Sequence, residues 1–416
     1  MSETTSTERV DAAAVDSAAQ ATFPPTRCPF GGQPEYERLR ARETISKVPT
    51  VDGRDTWWAT NRADVKAILA NPSFSANRGD PRFPSLLRDP EARKQPLNPP
   101  PGMMLVMDGT EHAQARRAVI GEFTVKRLAA LHPRIQEIVD GFIDEILATE
   151  DRPVDLVAAL SLPVPSLVIC ELLGVPYADH EFFQARSSKM ISRSAPPAER
   201  QAASGELSAY LGQLLATKEA EPSDDLLSRQ IEKQRAEGEL DREKLIGLAL
   251  LLLVAGHETT ANMISLGVVA LLNNPDQLAA IKADPDKIPM AVEEALRYFS
   301  IADTIGRVAT EDVEIGGATI KAGDSVIASS LGANFDPDAF TDAGEFDVER
   351  GTRSHVAFGY GPHQCLGQNL ARRELEIVFE TLFRRIPGLT LAIPVDDLPF
   401  KNHNGAYGVY ALPVTW

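Results

Sequence analysis

The stretch from Asp241 to Asn273 constrains this chain more than any other. It reads as one helix of 33 residues, which at the usual rise per residue is ~50 Å long. Asp241 is placed to cap its N-terminus, Glu243 suits the positive end, and Asn273-Asn274-Pro275 supplies a stop. Leu245 to Val254 is apolar on nearly every face, so the helix is a buried axis that other elements must cover. Midway comes Ala255-Gly256-His257-Glu258-Thr259-Thr260, where polar and ionisable groups are costly without a partner or a purpose. Glycine inside a helix costs a further ~1 kcal/mol relative to alanine. An interior helix interrupted in this way marks a site.

Helical periodicity continues through Leu128–Leu147, Pro165–Gly174, Leu207–Leu215, Met290–Phe299 and Leu366–Arg385. Strand patterns are fewer: Thr56–Thr60, Val313–Ile315, Ser325–Ser329 and the C-terminal run from Tyr407. The expected fold is mainly α with small antiparallel β-sheets. Residues 1–25 read as a polar, disordered tail and 26–416 as a single domain, since the Pro-rich patches at Pro96–Gly102 and Ala195–Ala198 are short enough to be loops. Lys+Arg 42 against Asp+Glu 59 leaves a net charge of −17, a poor match for nucleic acid or an anionic membrane. Three cysteines, Cys28, Cys170 and Cys365, are no disulfide framework and fit a reducing cytoplasm. Cys170 reads as core filler. The N-terminal residues carry no apolar secretory run, and the longest apolar stretch, Leu248 to Gly256, falls short of the ~20 residues that span a bilayer.

Cys365 stands apart. The segment Phe358-Gly-Tyr-Gly-Pro-His-Gln-Cys365-Leu-Gly367 sets it on a glycine-rich turn directly ahead of an amphipathic helical stretch. Amides and dipole at a helix N-terminus favour a thiolate and lower its pKa. Gly359, Gly361 and Gly367 give the backbone freedom for a flat cofactor to come close. The run resembles the cysteine loop of the cytochrome P450 family, F-x-x-G-x-H-x-C-x-G, at every fixed position. Residues 255–260 resemble that family's distal-helix motif A-G-x-[DE]-T-[TS]. The resemblance implies a helix-rich triangular prism and a haem b (iron protoporphyrin IX) ligated by Cys365, with Phe358, Gly359 and Gly367 against it.

On the oxygen side, Ala255 and Gly256 are expected to leave room above the haem for O2 and substrate. Thr259 is placed to bond back to the carbonyl four residues earlier, bending the helix and opening a notch. Glu258 is the acid at hand to pass protons inward. By resemblance Thr259 and Glu258 are the catalytic pair. A zinc-protease H-E-x-x-H is rejected because Ala261 stands at its fifth position. His112, Arg116, Arg307 and His363 match the family's positions for holding the haem propionates. Glu294-Ala-Leu-Arg297 and Arg350 match its ionic cluster, a structural device. The meander reads Ala333-Asn334-Phe335-Asp336, with an aromatic where the family often has a cation.

The implied activity is that of a soluble, actinomycete-type haem-thiolate monooxygenase, a monomer without a membrane anchor. Relatives of that kind act on macrolides, polyketides, statin-like and sterol-like compounds and xenobiotics. Met103, Met104, Leu105, Leu97, Phe182, Met190, Val254, Ile301 and Ala302 are candidate linings for a lipophilic substrate. No G-x-G-x-x-G loop follows a strand, so electrons are expected from a ferredoxin and an NAD(P)H-dependent ferredoxin reductase. Arg116, Arg117, Arg353, Arg372 and Arg373 are the expected basic docking patch. Peroxide-driven or isomerising chemistry at the same iron stays open, as does a non-catalytic haem-thiolate sensor.

Overall fold

The computed structural model describes residues 23–87, 89, 93, 99–402 and 404–416. Most of the expected tail (residues 1–22) and the candidate lining residue Leu97 lie outside them. The helices are α1 (Pro34–Arg42), α2 (Arg62–Ala70), α3 (Gly109–Val119), α4 (Val125–Ala148), α5 (Pro163–Leu173), α6 (His180–Ile191), α7 (Pro197–Ala220), α8 (Leu226–Glu237) and α9 (Arg242–Asn273). After them come α10 (Pro275–Ala283), α11 (Ile288–Phe299), α12 (Ser330–Asn334) and α13 (Gln368–Arg385). Five strands form the largest sheet: β1 (Ile45–Pro49), β2 (Asp55–Ala59), β3 (Phe74–Ser75), β5 (Thr304–Ala309) and β8 (Ser325–Ser329), in the order β1-β2-β8-β5-β3. Strands β4 (Val154–Asp155), β9 (Thr390–Leu391) and β10 (Pro413–Thr415) form a second sheet, and β6 (Val313–Ile315) with β7 (Ala318–Ile320) a hairpin.

The long helix forms as the sequence dictates. Asp241 accepts from the Lys244 amide at 3.0 Å, and Asn274 closes the far end by donating to the Ala270 carbonyl at 2.8 Å. Helix α9 is packed by α5, α7, α11 and α13, with Leu250, Leu253, Ile264, Val268 and Leu271 fully covered. By length and hydropathy the whole helix would cross a bilayer, unlike its apolar centre taken alone. Yet 67% of its most apolar window is buried inside the protein, which makes it a core helix.

Two features depart from expectation. The main sheet is not purely antiparallel: β2 and β8 pair in parallel, Trp57 opposite Val326, because the chain returns to this sheet after the helical body. The folded body also begins earlier than residue 26. Phe23 is buried against Trp58 and Tyr36, and its amide donates to the Pro49 carbonyl at 3.0 Å.

Ion pairs lock the region that precedes the cysteine loop. Arg297 is fully buried, forks onto Glu294 at 2.7 and 2.8 Å, and donates to the carbonyls of Asn334, Ala343 and Glu345. Arg350 reaches the same carboxylate at 3.3 Å. Phe335, the aromatic departure in the meander, lies 5.2 Å from the Arg297 guanidinium and packs on Tyr298. It covers the cluster.

Candidate functional site

The cysteine loop is a turn held at both ends. Gly361 has φ +72°, and a Cβ there would come within 2.6 Å of the Leu69 carbonyl, so only glycine lets the loop cross α2. The Cys365 amide donates to the Phe358 carbonyl at 2.8 Å, which closes the loop. Gly367 has an ordinary φ of −83° and caps α13, so its use is not left-handed freedom. A Cβ on Gly367 meets nothing within 4 Å, and one on Gly359 only Ile305, at 3.9 Å. Both face open space beside the cysteine. Cys365 itself is enclosed by protein yet has its surface uncovered, the condition of a side chain that lines an internal cavity.

The thiol chemistry differs from expectation. Burial pushes the Cys365 thiol up, outweighing the amides of Gly367 and Gln368 and the charges of Arg116 and Arg372, which pull the other way. The loop supplies the amides, but a bound metal is what ionises a buried thiol outright. Cys170, by contrast, is a covered core residue whose thiol is pushed up to about 12 by burial.

Cations gather next to Cys365. The rings of His112, on α3, and His363 lie 3.9 Å apart. Burial, Arg307 and His112 bring His363 down to about 4. Burial takes the Arg307 guanidinium to about 10, with Asp108 opposing, and it donates to the neighbouring Gly306 carbonyl at 2.7 Å. Arg116 is lowered by burial while the cysteine acts to raise it, which places it beside the sulfur. This donor set, one sulfur flanked by cationic and hydrogen-bonding groups around an open space, fits an iron porphyrin with two propionates.

The distal helix shows its open face at the expected motif. Ala255 is exposed and Leu251, Val254 and Thr259 are half-covered, although Leu252, Leu253, His257 and Glu258 around them are buried. Thr259 Oγ1 donates to the Ala255 carbonyl at 2.7 Å, the back-bond expected from the sequence. Glu258 is only 4% exposed; burial raises its pKa, and the Lys401 ammonium, 3.4 Å away, partly opposes this. His257 donates from Nδ1 to the Leu253 carbonyl at 2.7 Å and is taken down to about 4 by burial, so it stays neutral. Gly256 has a different use from the one expected. A Cβ there would sit 2.7 Å from Ile169, so the glycine lets α5 approach α9 instead of opening the cavity.

The expected docking patch also changes. Arg372 is buried and forks onto Glu293 at 2.6 and 3.1 Å, joined by His355 at 2.9 Å. Burial acts to raise the Glu293 carboxyl, but these bonds win and bring it to about 2. Arg116 faces the cavity. Arg117, Arg353 and Arg373 are left on the surface.

Among the lining candidates, Ile301 faces a cleft shared with Leu86, Arg193, Thr304, Gly405 and Tyr407. Met104 is covered in the core, Leu105 is exposed, and Phe182 lies under the Arg186 guanidinium. Lys401, which meets Glu258 and lines this cleft, is a residue that no local pattern signalled.

A family model described as cytochrome P450 matches residues 200–387. The pentalenic acid synthase of Streptomyces avermitilis is 47% identical over 400 residues, 96% of this chain and 98% of the relative. The crystal structure of cytochrome P450 MoxA from Nonomuraea recticatena superposes with a TM-score of 0.87 at 59% identity, covering 95% of this chain and 98% of that one. The mycinamicin VIII C21 methyl hydroxylase MycCI of Micromonospora griseorubida, solved with mycinamicin VIII bound, gives 0.88 at 40% identity, covering 95% and 100%.

Proposed function

The chain belongs to the cytochrome P450 family, whose members hold haem b through a cysteine thiolate, and on that footing we propose Cys365 as the ligand and Glu258 with Thr259 as the proton-delivery pair. The protein is a monooxygenase that inserts one oxygen atom of O2 into a C–H bond of a lipophilic substrate. The observation that carries the assignment of the ligand is the Cys365 side chain, enclosed yet uncovered, with Arg116 beside it and the His112–His363 pair close by.

Bound haem supplies the iron at which O2 is activated, and a thiolate donor favours cleavage of the O–O bond. His112, Arg116, Arg307 and His363 hold the propionates and replace the water those carboxylates lose on burial. Thr259 holds its hydroxyl on the Ala255 carbonyl, and once released from it can donate into the cavity. Glu258, buried and raised, is suited to carry a proton rather than a permanent charge. Lys401 stands between it and the cleft lined by Arg193 and Tyr407, giving that carboxyl a route outward. Ala255 keeps the space over the ligand side clear. A haem-thiolate sensor has no need of this acid and alcohol.

The substrate we propose is a secondary metabolite or xenobiotic too large for a closed pocket, bound between the Ile301–Ile305 segment, Gly405–Val409 and the open face of α9. Electrons come from a ferredoxin and its NAD(P)H-dependent ferredoxin reductase, docking at Arg117, Arg353 and Arg373. The enzyme acts as a cytoplasmic monomer, residues 23–416 forming one catalytic domain. The test is turnover of a spectrally identified substrate under heavy-isotope dioxygen with the reconstituted electron-transfer pair. One labelled oxygen atom per product molecule is expected; unlabelled product formed with peroxide alone contradicts the reading.

A further inference from the structure

The carboxylate beside the buried Glu294–Arg297 pair faces another way. Glu293 is 3% exposed, and both of its oxygens are taken. Oε1 accepts from Nε of Arg372 at 2.6 Å and lies 3.2 Å from Nε of Arg353. Oε2 accepts from Nη2 of Arg372 at 3.1 Å and from Nε2 of His355 at 2.9 Å. His355 and Arg372 stand on opposite sides of Cys365 in the chain. One side chain of α11 therefore holds both the stem that enters the cysteine loop and the stem that leaves it. Arg353 is largely exposed, so its contact adds little.

Each stem passes the constraint on toward the sulfur. His355 Nδ1 accepts from the Ala357 amide at 3.3 Å, next to Phe358, whose carbonyl takes the Cys365 amide at 2.8 Å. On the other side Arg372 donates from Nη1 to Oε1 of Gln368 at 3.1 Å. The same oxygen receives the side-chain amide of Gln364, the residue before Cys365, at 3.4 Å. The Arg372 guanidinium also lies over the Phe358 ring, 4.7 Å from its centre, which joins the two stems directly. Glu294 makes none of these contacts: its partners are Arg297, Arg350 and the Asp347 amide. The two adjacent carboxylates thus divide the work, Glu294 fixing the meander and Glu293 the loop.

We infer that Glu293 is a positioning residue for Cys365: through His355 on one side and Arg372 on the other it clamps both stems of the loop and keeps the sulfur in its ligating position. This rests on Cys365 as the haem ligand, proposed above. Reduction of a bound iron removes one positive charge and with it part of the pull on a negatively charged sulfur. From then on the sulfur stays in place only as far as the loop that carries it is fixed. A buried network whose members are all paired supplies that rigidity, because each group locks the rotamer of the next. The clamp matters most in the reduced protein, where thiolate ligation is weakest.

The test follows the ferrous carbonyl adduct of the purified holoenzyme at fixed temperature. It records the rate at which the thiolate-type Soret band gives way to that of an adduct without thiolate. Glu293→Gln should speed this conversion about tenfold or more, the worth of one charge-assisted hydrogen bond lost from the clamp. His355→Phe and Arg372→Met, each cutting one stem, should each speed it by a smaller factor. Added to Glu293→Gln, either should change the rate by less than about twofold, because its anchor is already gone. Lys218→Ala, which breaks the buried Lys218–Asp225 pair at the α7–α8 corner, is the control. It should lower Tm without speeding the conversion. A wild-type rate in Glu293→Gln overturns the inference, as does equally fast conversion in Lys218→Ala. Effects of Glu293→Gln and a stem variant that multiply in full overturn it too. Should Glu293→Gln not fold, the stem variants are compared with Lys218→Ala: faster conversion in both supports the clamp, and a wild-type rate in either overturns it. All these failures leave the ligand assignment standing. A histidine-type band in the wild type overturns that assignment and the inference together.

Discussion

Lys401 holds its ammonium 3.4 Å from Oε1 of Glu258 and 2.9 Å from Oδ1 of Asn262, closing the outer side of the buried carboxyl. Burial raises Glu258 and Lys401 lowers it. Removing the cation therefore lets the carboxyl rise further. For Lys401→Met the pH profile of product formation should move toward higher pH, with substrate-induced spin shift unaltered. Glu258→Gln, which cannot ionise, should cut turnover about a hundredfold. An unmoved profile in Lys401→Met removes that residue from the relay.

Thr259 is bound to the Ala255 carbonyl at 2.7 Å on the open face of α9. Thr259→Ala should keep NAD(P)H consumption within about threefold while product per NAD(P)H falls by roughly tenfold. Thr259→Ser should restore most of it, because the hydroxyl remains. Equal coupling in wild type and Thr259→Ala would favour the peroxide-driven route or a sensor.

Gly256 faces Ile169 at 2.7 Å from where a Cβ would lie. Gly256→Ala should cost about 1–3 kcal/mol through overpacking. Ile169→Ala should cost on the order of 2–5 kcal/mol alone, and the pair should cost clearly less than the two added together. Additive losses in thermal unfolding would mean that the two helices do not meet there.

The motif on α9 was legible because its causes are local. Asp241 caps within three residues and Thr259 bonds back within four. The ionic pair Glu294–Arg297 shares one helix face and was legible for the same reason. Glu293, its neighbour, turns the other way onto Arg372, 79 residues later, and no periodicity distinguishes the two carboxylates. Arg372 consequently looked like a surface cation from the sequence, as Arg373 is. Lys401 was silent: it gains meaning only from Glu258 and Asn262, far back along the chain. The parallel β2–β8 pairing was hidden likewise, since Trp57 and Val326 meet only after the helical body is built.

This difference between Arg372 and Arg373 is measurable. Arg372→Ala leaves the buried Glu293 only His355 and the exposed Arg353, 3.2 Å away, and should destabilise the fold by about 3–5 kcal/mol. Arg373 is 41% exposed and pairs with Glu376 at 3.0 Å, so Arg373→Glu should change stability by less than ~1 kcal/mol. Together with Arg117→Glu it should slow ferredoxin-dependent turnover at low salt, an effect that fades as salt is raised. Unchanged turnover at low salt would move the docking surface elsewhere.

Acid should act first on two histidines, His257 and His363, and then on Glu293. Buried His257 has a folded pKa of about 4 against 6.5 when free. The unfolded chain therefore binds its proton first, and stability should fall from about pH 6.5 down to 4, by on the order of 3 kcal/mol. Glu293, held at about 2, adds a loss from about pH 4.5 downward as its partners surrender it. Tm measured by circular dichroism from pH 8 to 4 should show the first slope, and His257→Phe should reduce it, the remainder coming from His363, also brought down to about 4. A flat wild-type profile above pH 5 would mean that His257 is reached by solvent.

The ligand assignment is tested most directly by the ferrous carbonyl spectrum of the haem-loaded protein and of Cys28→Ser, Cys170→Ser and Cys365→Ser. The thiolate-type Soret band should appear in the wild type and the first two variants and vanish only in Cys365→Ser. A thiolate band that survives in Cys365→Ser, or a histidine-type band in the wild type, would contradict the account.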